Sequence, residues 1–161
     1  MGTKHTILFA FIFLSYFLTA YSCAEEVSEH ELDLQSPYET EWKFEKDIEG
    51  DNLSNNRRST NEEEPFVPFL LKFNRDNTFT GTSSNNRFQG QYTINTTRSI
   101  LSIIDIEKQN PHLMETKEGF RYMANLKNVK YYSVSYANSI KVLRLYYSDN
   151  KENYLQYKER K

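Results

Sequence analysis

The 161-residue chain has few of the side chains on which most catalytic and metal sites depend. Its only cysteine is Cys23, which excludes a disulfide within the chain and a cysteine-based zinc cluster. The three histidines are His5, His30 and His112, and no Gly-x-Ser-x-Gly motif is present. His112 follows Pro111 in a predicted surface loop, where it is poorly placed to activate a nucleophile. These scarcities argue against most enzyme classes, and we expect a non-enzymatic protein without cofactor or metal.

Glycine and proline are also scarce, with five and four residues, which excludes a collagen-like or flexible low-complexity chain. Aromatic residues make up 15% of the chain and include 12 Tyr and 11 Phe. The charged fraction of 26% and the hydrophobic fraction of 38% are typical of a globular protein. The length leaves room for one modest domain.

Long hydrophobic runs are absent except at the N-terminus. There, Lys4 and His5 precede an apolar run from Ile7 to Leu18 that is broken only by Ser15. The run is shorter than the roughly 20 residues that a membrane-spanning helix needs. A short polar start followed by such a run predicts a secretory signal peptide over residues 1–22.

The residues after the apolar run resemble the lipidation site of bacterial lipoproteins. In Thr-Ala-Tyr-Ser-Cys at 19–23 a small residue precedes Cys23, although Ala20 stands where that pattern prefers Leu. We predict that acyl chains on Cys23 anchor the protein in the bacterial cell envelope, and Ala24 in place of Asp favours the outer membrane. The alternative is ordinary cleavage after Ala20 or Ser22, which leaves Cys23 as a free thiol.

Charge is distributed unevenly along the chain. Residues 24–64 hold 14 acidic and 4 basic side chains, whereas residues 65–161 hold 8 acidic and 15 basic ones. We interpret residues 23–37 as an acidic flexible tether and residues 47–64 as a long surface loop. Glu25-Glu26 fits either a surface-export signal or the solvated tether, so periplasmic and surface display both stay open. The basic residues are scattered among predicted strands, and we expect no nucleic-acid binding.

The body of the chain, residues 38–161, predicts an α+β fold of seven to eight antiparallel strands and one packed helix. Alternation places Tyr38, Thr40, Trp42 and Phe44 on one face of a first strand. The other predicted strands are 66–74, 78–81, 87–94, 99–106, 129–136, 139–147 and 153–158. The segment 99–106 is apolar on both faces, as in a central, doubly covered strand. We expect a strongly curved, partly closed, barrel-like sheet.

The hydrophobic period changes after Pro111. Phe120, Met123, Ala124 and Lys127 follow helical spacing, with Leu126 beside this stripe. The pattern predicts a helix over about 113–127, with Thr116 or Glu115 as its N-terminal cap.

The stretch 69–92 resembles the signature of the META domain of HslJ-like heat-shock lipoproteins. In that family a hydrophobic strand ends in Phe, a strand of small residues reaches a Gly, and an Asn-x-Phe/Tyr-x-Gly-x-Tyr segment follows. The matching residues, together with the early Trp and the helix landmarks, are Trp42, Phe73, Phe79, Gly81, Asn86, Phe88, Gly90, Tyr92, Phe120 and Leu126. The resemblance covers about residues 38–158.

The resemblance implies a non-enzymatic protein of the cell envelope that acts in maintenance or stress through contacts with an envelope protein. The family is linked to envelope stress, drug tolerance, and motility or virulence. Two departures matter: Ser84-Asn85 stand where the family has Gly-Cys, and residues 108–112 replace its Thr-x-Met-x-Cys segment. A redox role of those cysteines therefore does not carry over.

Tyrosines crowd the last predicted strands. Adjacent Tyr residues in a strand point to opposite faces, so one of each pair faces solvent. Tyr132, Tyr136 and Tyr147 are our candidate binding surface, because exposed Tyr supplies contact area at low entropic cost. The alternative interpretation is cross-strand packing that stabilises the sheet. A second candidate function is accordingly a small binding module, either a ligand carrier or a protease inhibitor, that uses this surface or a cavity at one end of the sheet.

Overall fold

The computed structural model describes residues 36–49, 52–54 and 68–161. The signal peptide predicted over 1–22, Cys23 and the tether up to residue 35 lie outside these ranges. The described elements are β1 (Glu41–Glu49), β2 (Asn52–Ser54), β3 (Leu70–Phe73), β4 (Thr78–Thr82), β5 (Arg87–Asn95), β6 (Ile100–Ile103), β7 (Glu107–Lys108), α1 (Lys117–Lys127), β8 (Tyr131–Ala137), β9 (Ile140–Tyr146) and β10 (Tyr154–Glu159). Within these ranges no helix has the length and apolar content that crossing a membrane requires.

The strands form one antiparallel sheet that curves almost into a ring. Its order is β10-β9-β8-β6-β5-β4-β3-β1-β2, and β1 also pairs with β10, while the short β7 pairs with β5. The ring is not a regular barrel, because β6 and β8 pair only at Ile100 and Tyr131. The prediction of an α+β fold with a strongly curved, nearly closed antiparallel sheet and a packed helix is confirmed.

Aromatic and aliphatic side chains fill the interior of the ring. The largest fully buried ones are Trp42, Tyr92, Tyr157, Phe73, Phe79, Phe88, Leu71, Leu101, Leu126, Leu143, Leu145 and Leu155. Many of the rings meet edge to face, such as Phe73 and Tyr92 with centroids 4.9 Å apart. Among the described residues, seven Tyr and Phe side chains are buried in this core, and four more pack against it.

The start of the described chain packs against the ring. Trp42 Nε1 donates a hydrogen bond to the Pro37 carbonyl oxygen at 2.9 Å, and Lys141 Nζ donates to the Ser36 carbonyl oxygen at 3.0 Å. Ser36 and Pro37, which the sequence assigned to the flexible tether, are both buried. The ordered domain thus begins at least two residues earlier than residue 38.

A β-bulge in β1 changes which side chains face the interior. Phe44 lies opposite Tyr157, and Asp47 lies opposite Leu155, with one extra residue in β1 between these two pairs. The shift turns Asp47 toward the interior side of the sheet, where it is 2% exposed. The surface loop predicted over 47–64 is wrong at its start, because β1 continues to Glu49.

The helix begins later than the sequence pattern predicts. α1 starts at Lys117 instead of 113, since the Thr116 Oγ1 caps it by accepting a hydrogen bond from the Gly119 backbone N–H at 3.1 Å. Its buried residues are Gly119, Tyr122 and Leu126, whereas Phe120 is 52% exposed. The face that packs on the ring is therefore displaced from the predicted stripe of Phe120, Met123, Ala124 and Lys127.

The strand predicted over 99–106 also ends early. β6 stops at Ile103, and Ile104 is 56% exposed. Only alternate residues of β6 are buried, so the expectation of a strand covered on both faces is wrong.

Candidate functional site

The residues that carry the resemblance to the META domain mostly build the core. Trp42, Phe73, Phe79, Phe88, Tyr92 and Leu126 are all at most 2% exposed. The helix residue Phe120 is the exception, since it lies at the surface beside Lys108, whose Nζ is 5.4 Å from the ring centroid. The signature thus describes packing more than a binding site.

The two strand glycines of this signature allow close backbone approach. A Cβ at Gly90 would collide with the Asp105 carbonyl oxygen and would lie 2.8 Å from the Phe79 ring. A Cβ at Gly81 would collide with the Phe88 ring and lie 2.6 Å from the Leu70 carbonyl oxygen. Both positions require glycine because neighbouring backbone leaves no room for a side chain.

Asn86, the remaining signature residue, belongs to a buried polar cluster around Glu115. Glu115 accepts hydrogen bonds from Ser83 Oγ at 2.7 Å, Ser84 Oγ at 2.6 Å and Asn86 Nδ2 at 3.0 Å. Lys108 Nζ adds an ion pair at 3.6 Å. Ser83, Ser84 and Asn86 belong to the turn between β4 and β5, so the cluster ties that turn to the chain just before α1.

Electrostatics favour the ionised form of Glu115. Burial alone would raise the pKa of Glu115, but the hydrogen bonds from Ser84, Ser83 and Asn86, together with Lys108, lower it below its ordinary value. A carboxylate stabilised by this many donors is a poor proton acceptor. The cluster therefore acts as a structural anchor for the helix and lacks the properties of a general base.

A second buried carboxylate, Asp47 of β1, contacts α1. It accepts a hydrogen bond from the Tyr147 hydroxyl at 2.8 Å and another from Asn125 Nδ2 at 2.9 Å. Arg121 Nε lies 3.5 Å from its Oδ2. Burial is the largest influence and raises the pKa of Asp47, although Tyr147 and Arg121 oppose the shift. The pKa shift of Asp47 is thus opposite in direction to that of Glu115.

Asp47 borders a shallow depression that opens to solvent. The depression is lined by Phe44, Asp47, Phe69, Glu118, Arg121 and Tyr122. Its enclosed part has room for about one water molecule, too little for a substrate group. Within the described ranges, no group of three His, Cys, Asp or Glu side chains is arranged to hold a metal ion.

The three tyrosines predicted to form a binding surface are not exposed together. Tyr132 is in the core at 4% exposure, and Tyr147 turns its hydroxyl toward Asp47. Tyr136 alone is well exposed, at 55%. Each adjacent pair does point to opposite faces, but the outward members are Tyr131 and Tyr146.

These outward residues form a row with Tyr154 across β8, β9 and β10, which we call the outer tyrosine row. Tyr146 lies opposite both Tyr131 and Tyr154 in the strand register, and the Tyr146 and Tyr154 ring centroids are 5.4 Å apart. Arg144 lies 5.3 Å from the Tyr154 ring centroid, and Lys151 lies 4.8 Å from that of Tyr131. The row is partly exposed and cationic, which suits contact with an acidic surface.

A separate group of exposed apolar residues surrounds the start of α1. Leu113 is 48% exposed and Met114 is 75% exposed. Phe120, which is 52% exposed, lies one helical turn after the cap residue Thr116. Asn85 and Asn86 donate hydrogen bonds to the carbonyl oxygens of Met114 and Leu113. Hydrogen bonds thus hold the backbone of this segment in place while its apolar side chains face outward.

Comparison with known proteins identifies the fold alone. No protein-family model matches the chain, and no curated protein sequence matches it. An NMR structure of a protein from Burkholderia xenovorans is similar, with a TM-score of 0.55 and 16% identity over 83% of this chain and 88% of its own. A crystal structure of a DUF4847 family protein from Bacteroides vulgatus has a TM-score of 0.51 and 19% identity over 74% of this chain and 91% of its own.

Both neighbours are small bacterial β-sheet proteins, and this chain shares their architecture. Identities below a fifth carry no function from one protein to another. The resemblance to the META domain accordingly stays a prediction.

Proposed function

We propose that the chain is a non-enzymatic lipoprotein of the bacterial cell envelope with a META-like domain. In this proposal acyl chains on Cys23 anchor it to the outer membrane, and it acts in envelope maintenance or stress through contacts with another envelope protein. The observation that supports this best is that the buried polar groups of the domain bond to one another and leave no site for a substrate among the described residues. Both buried carboxylates, Asp47 and Glu115, are engaged by the fold's own donors, and the ring interior is filled with side chains.

The sequence supports the location, and the surface supports the mode of action. A signal-like segment over 1–22 ends at the single cysteine, where a lipidation site needs one. Leu113, Met114 and Phe120 are exposed on the domain, and exposed apolar groups are typical of protein contacts.

Fractionation of cells that make the full chain tests the anchor. We expect the wild type in the membrane fraction and the Cys23→Ala variant in the soluble fraction, because the variant cannot be acylated. Ala24→Ser is the matched control, since it alters the next residue but keeps the thiol, and it should stay with the membrane. A Cys23→Ala protein that stays membrane-bound, or a wild type that takes up no labelled fatty acid, would contradict the proposed anchor.

A binding module is the second candidate, and the outer tyrosine row favours it. Partly exposed rings with Arg144 and Lys151 against them offer aromatic and cationic contacts to an acidic segment of a target such as a protease. A synthetic acidic peptide, studied by calorimetry, serves as the probe. Tyr154→Ala should weaken its binding, and Thr80→Ala, at an exposed residue of β4, should not. Equal affinity for both variants would remove the row from consideration.

A further inference from the structure

Within the part of the chain that the structure describes, one edge of β8 has no strand beside it over most of its length. β8 pairs with β9 along residues 131–137, but on its other side it pairs with β6 only at Tyr131. The Tyr132 backbone N–H donates to the Ser99 carbonyl oxygen at 3.0 Å. Beyond that bond, no strand of the described ranges pairs with this side of residues 133–137, which extend past the turn between β5 and β6. We call residues 133–137 the free edge.

The free edge presents backbone hydrogen-bonding groups. Backbone N–H and C=O groups alternate between the two sides of an antiparallel strand. Tyr132 directs its N–H away from β9, so Val134 and Tyr136 direct theirs the same way, toward the open side. Ser135, Tyr136 and Ala137 are exposed, which leaves this side within reach of another chain.

The free edge also lacks the features that normally prevent strands from joining. Proteins protect exposed edges with charged residues, proline, bulges or very short strands. The sequence Ser-Val-Ser-Tyr-Ala at 133–137 has no charge and no proline, and its register with β9 has no bulge. By contrast, the edge strand β7 consists of two residues, Glu107 and Lys108, both charged.

We propose that the free edge is a docking site for an extended segment of a different polypeptide, which adds a strand to the sheet beside β8. Main-chain hydrogen bonds to Val134 and Tyr136 provide the attraction in this mode of recognition. Their side chains share one face of β8, with Ser133 and Ser135 on the other. Cross-strand pairing therefore favours a segment with β-branched or aromatic residues at alternate positions and small polar residues between them.

A second copy of this chain is the weaker occupant. Two copies joined through this edge would pair only residues 133–137 of each, whereas a stable interface uses about 20–30 residues a side. An extended segment is not limited in this way, since it can continue across the neighbouring surface. The inference rests on the proposed function to the extent that both require a protein partner.

Site-specific photo-cross-linking of the full chain in bacterial cells tests the inference. A photo-reactive phenylalanine at Ser135 should give an adduct with another polypeptide, and the cross-linked peptide should show alternating apolar residues. The same group at Gln89 is the matched control, because that exposed position lies in β5 between β4 and β7. It should give no adduct.

Two substitutions at Tyr136 distinguish the contribution of its backbone N–H to binding from that of its side chain. Tyr136→Pro removes the edge N–H without touching a bond to β9, and it should lower the yield of the Ser135 adduct at least about tenfold. Tyr136→Val keeps that N–H and should leave the yield within about threefold. If Tyr136→Pro does not fold, Ser135→Lys with the photo-reactive group at Ala137 replaces it and should also lose the adduct.

The possible outcomes distinguish this inference from the proposed function. A homodimeric adduct, or an adduct that Tyr136→Pro does not weaken, would overturn strand addition by another polypeptide. Adducts from photo-reactive groups at Phe120 or Tyr131, with none at Ser135, would overturn the free edge and leave the protein-contact function intact. The absence of a protein adduct at all of these positions would reject the proposed function itself.

Discussion

Replacement of Glu115 by Gln tests whether the buried polar cluster holds α1 on the sheet. Glu115 is 6% exposed and accepts three side-chain hydrogen bonds. Glutamine keeps the shape and one acceptor oxygen, which can still serve Ser83 and Asn86. Its amide group cannot accept the bond that Ser84 Oγ donates, and it cannot pair with Lys108.

The magnitude follows from the contacts that the change removes. A hydrogen bond to a charged group contributes about 1.5–3 kcal/mol, and a buried donor left without its partner costs a similar amount. We therefore expect Glu115→Gln to lower the free energy of unfolding by about 1.5–3 kcal/mol near neutral pH. For a domain of this size the Tm should fall by roughly 5–15 °C.

The pH dependence has a definite sign. Because the pKa of Glu115 is lower in the folded state than its ordinary value of 4.5, its stabilisation is fully present above that value. As the pH falls through the folded pKa, the carboxylate takes up a proton and this stabilisation is lost. The difference between wild type and Glu115→Gln should therefore be largest near neutral pH and should shrink below pH 4.5.

Thermal unfolding followed by circular dichroism at several pH values measures both quantities. Glu107→Gln is the matched control: it removes the same charge from an exposed residue of β7 and should stay within about 0.5 kcal/mol of the wild type. An equal effect of the two variants, or a Glu115→Gln effect independent of pH, would refute the assignment of Glu115 as an ionised anchor.

Three further variants test other parts of the fold by the same thermal assay. Trp42→Ala should cost about 3–5 kcal/mol, since it empties a fully buried site, and an unchanged Tm would be inconsistent with that burial. Gly90→Ala should cost about 1–3 kcal/mol through the collision with the Asp105 carbonyl, and full stability would contradict that close approach. Asp47→Asn should cost less than Glu115→Gln near neutral pH, because the hydrogen bond that it loses is offset by removal of a buried charge whose pKa is raised above 3.8. A loss of roughly 3 kcal/mol would instead show that the pair with Arg121 outweighs burial.

Alternation in the sequence was a reliable guide where a strand is regular and bounded by turns. Phe88 and Tyr92 were expected on one face of a strand, and both are buried in β5. The same rule failed in β1, because the bulge after Phe44 inverts the alternation and turns Asp47 inward. A single extra residue leaves no mark in the hydrophobic pattern, so the sequence places this buried carboxylate in a surface loop.

The tyrosines show a second limit of sequence reasoning. The alternation of side chains along a strand predicts that Tyr131 and Tyr132 face opposite sides of the sheet, but it does not predict which side is the interior. Pairing with β9 decides this, since Tyr132 lies opposite the buried Leu145. The prediction of the buried helix face is wrong for a related reason. Only Gly119, Tyr122 and Leu126 of α1 are buried, and a search for a broad apolar stripe does not find so narrow a face.

The narrow buried face of α1 gives the two carboxylates their importance. Glu115 fixes the start of the helix to the turn between β4 and β5, and Asp47 binds its middle through Asn125 and Arg121. The fold lowers the pKa of Glu115 and raises that of Asp47. Acidification therefore weakens the contacts of Glu115, whereas protonation of Asp47 removes the cost of its buried charge. The attachment of α1 as a whole should therefore depend on pH less than either contact alone. Glu115→Gln alone and Asp47→Asn alone should therefore tilt the stability–pH curve in opposite senses, whereas the double variant should keep a slope close to that of the wild type.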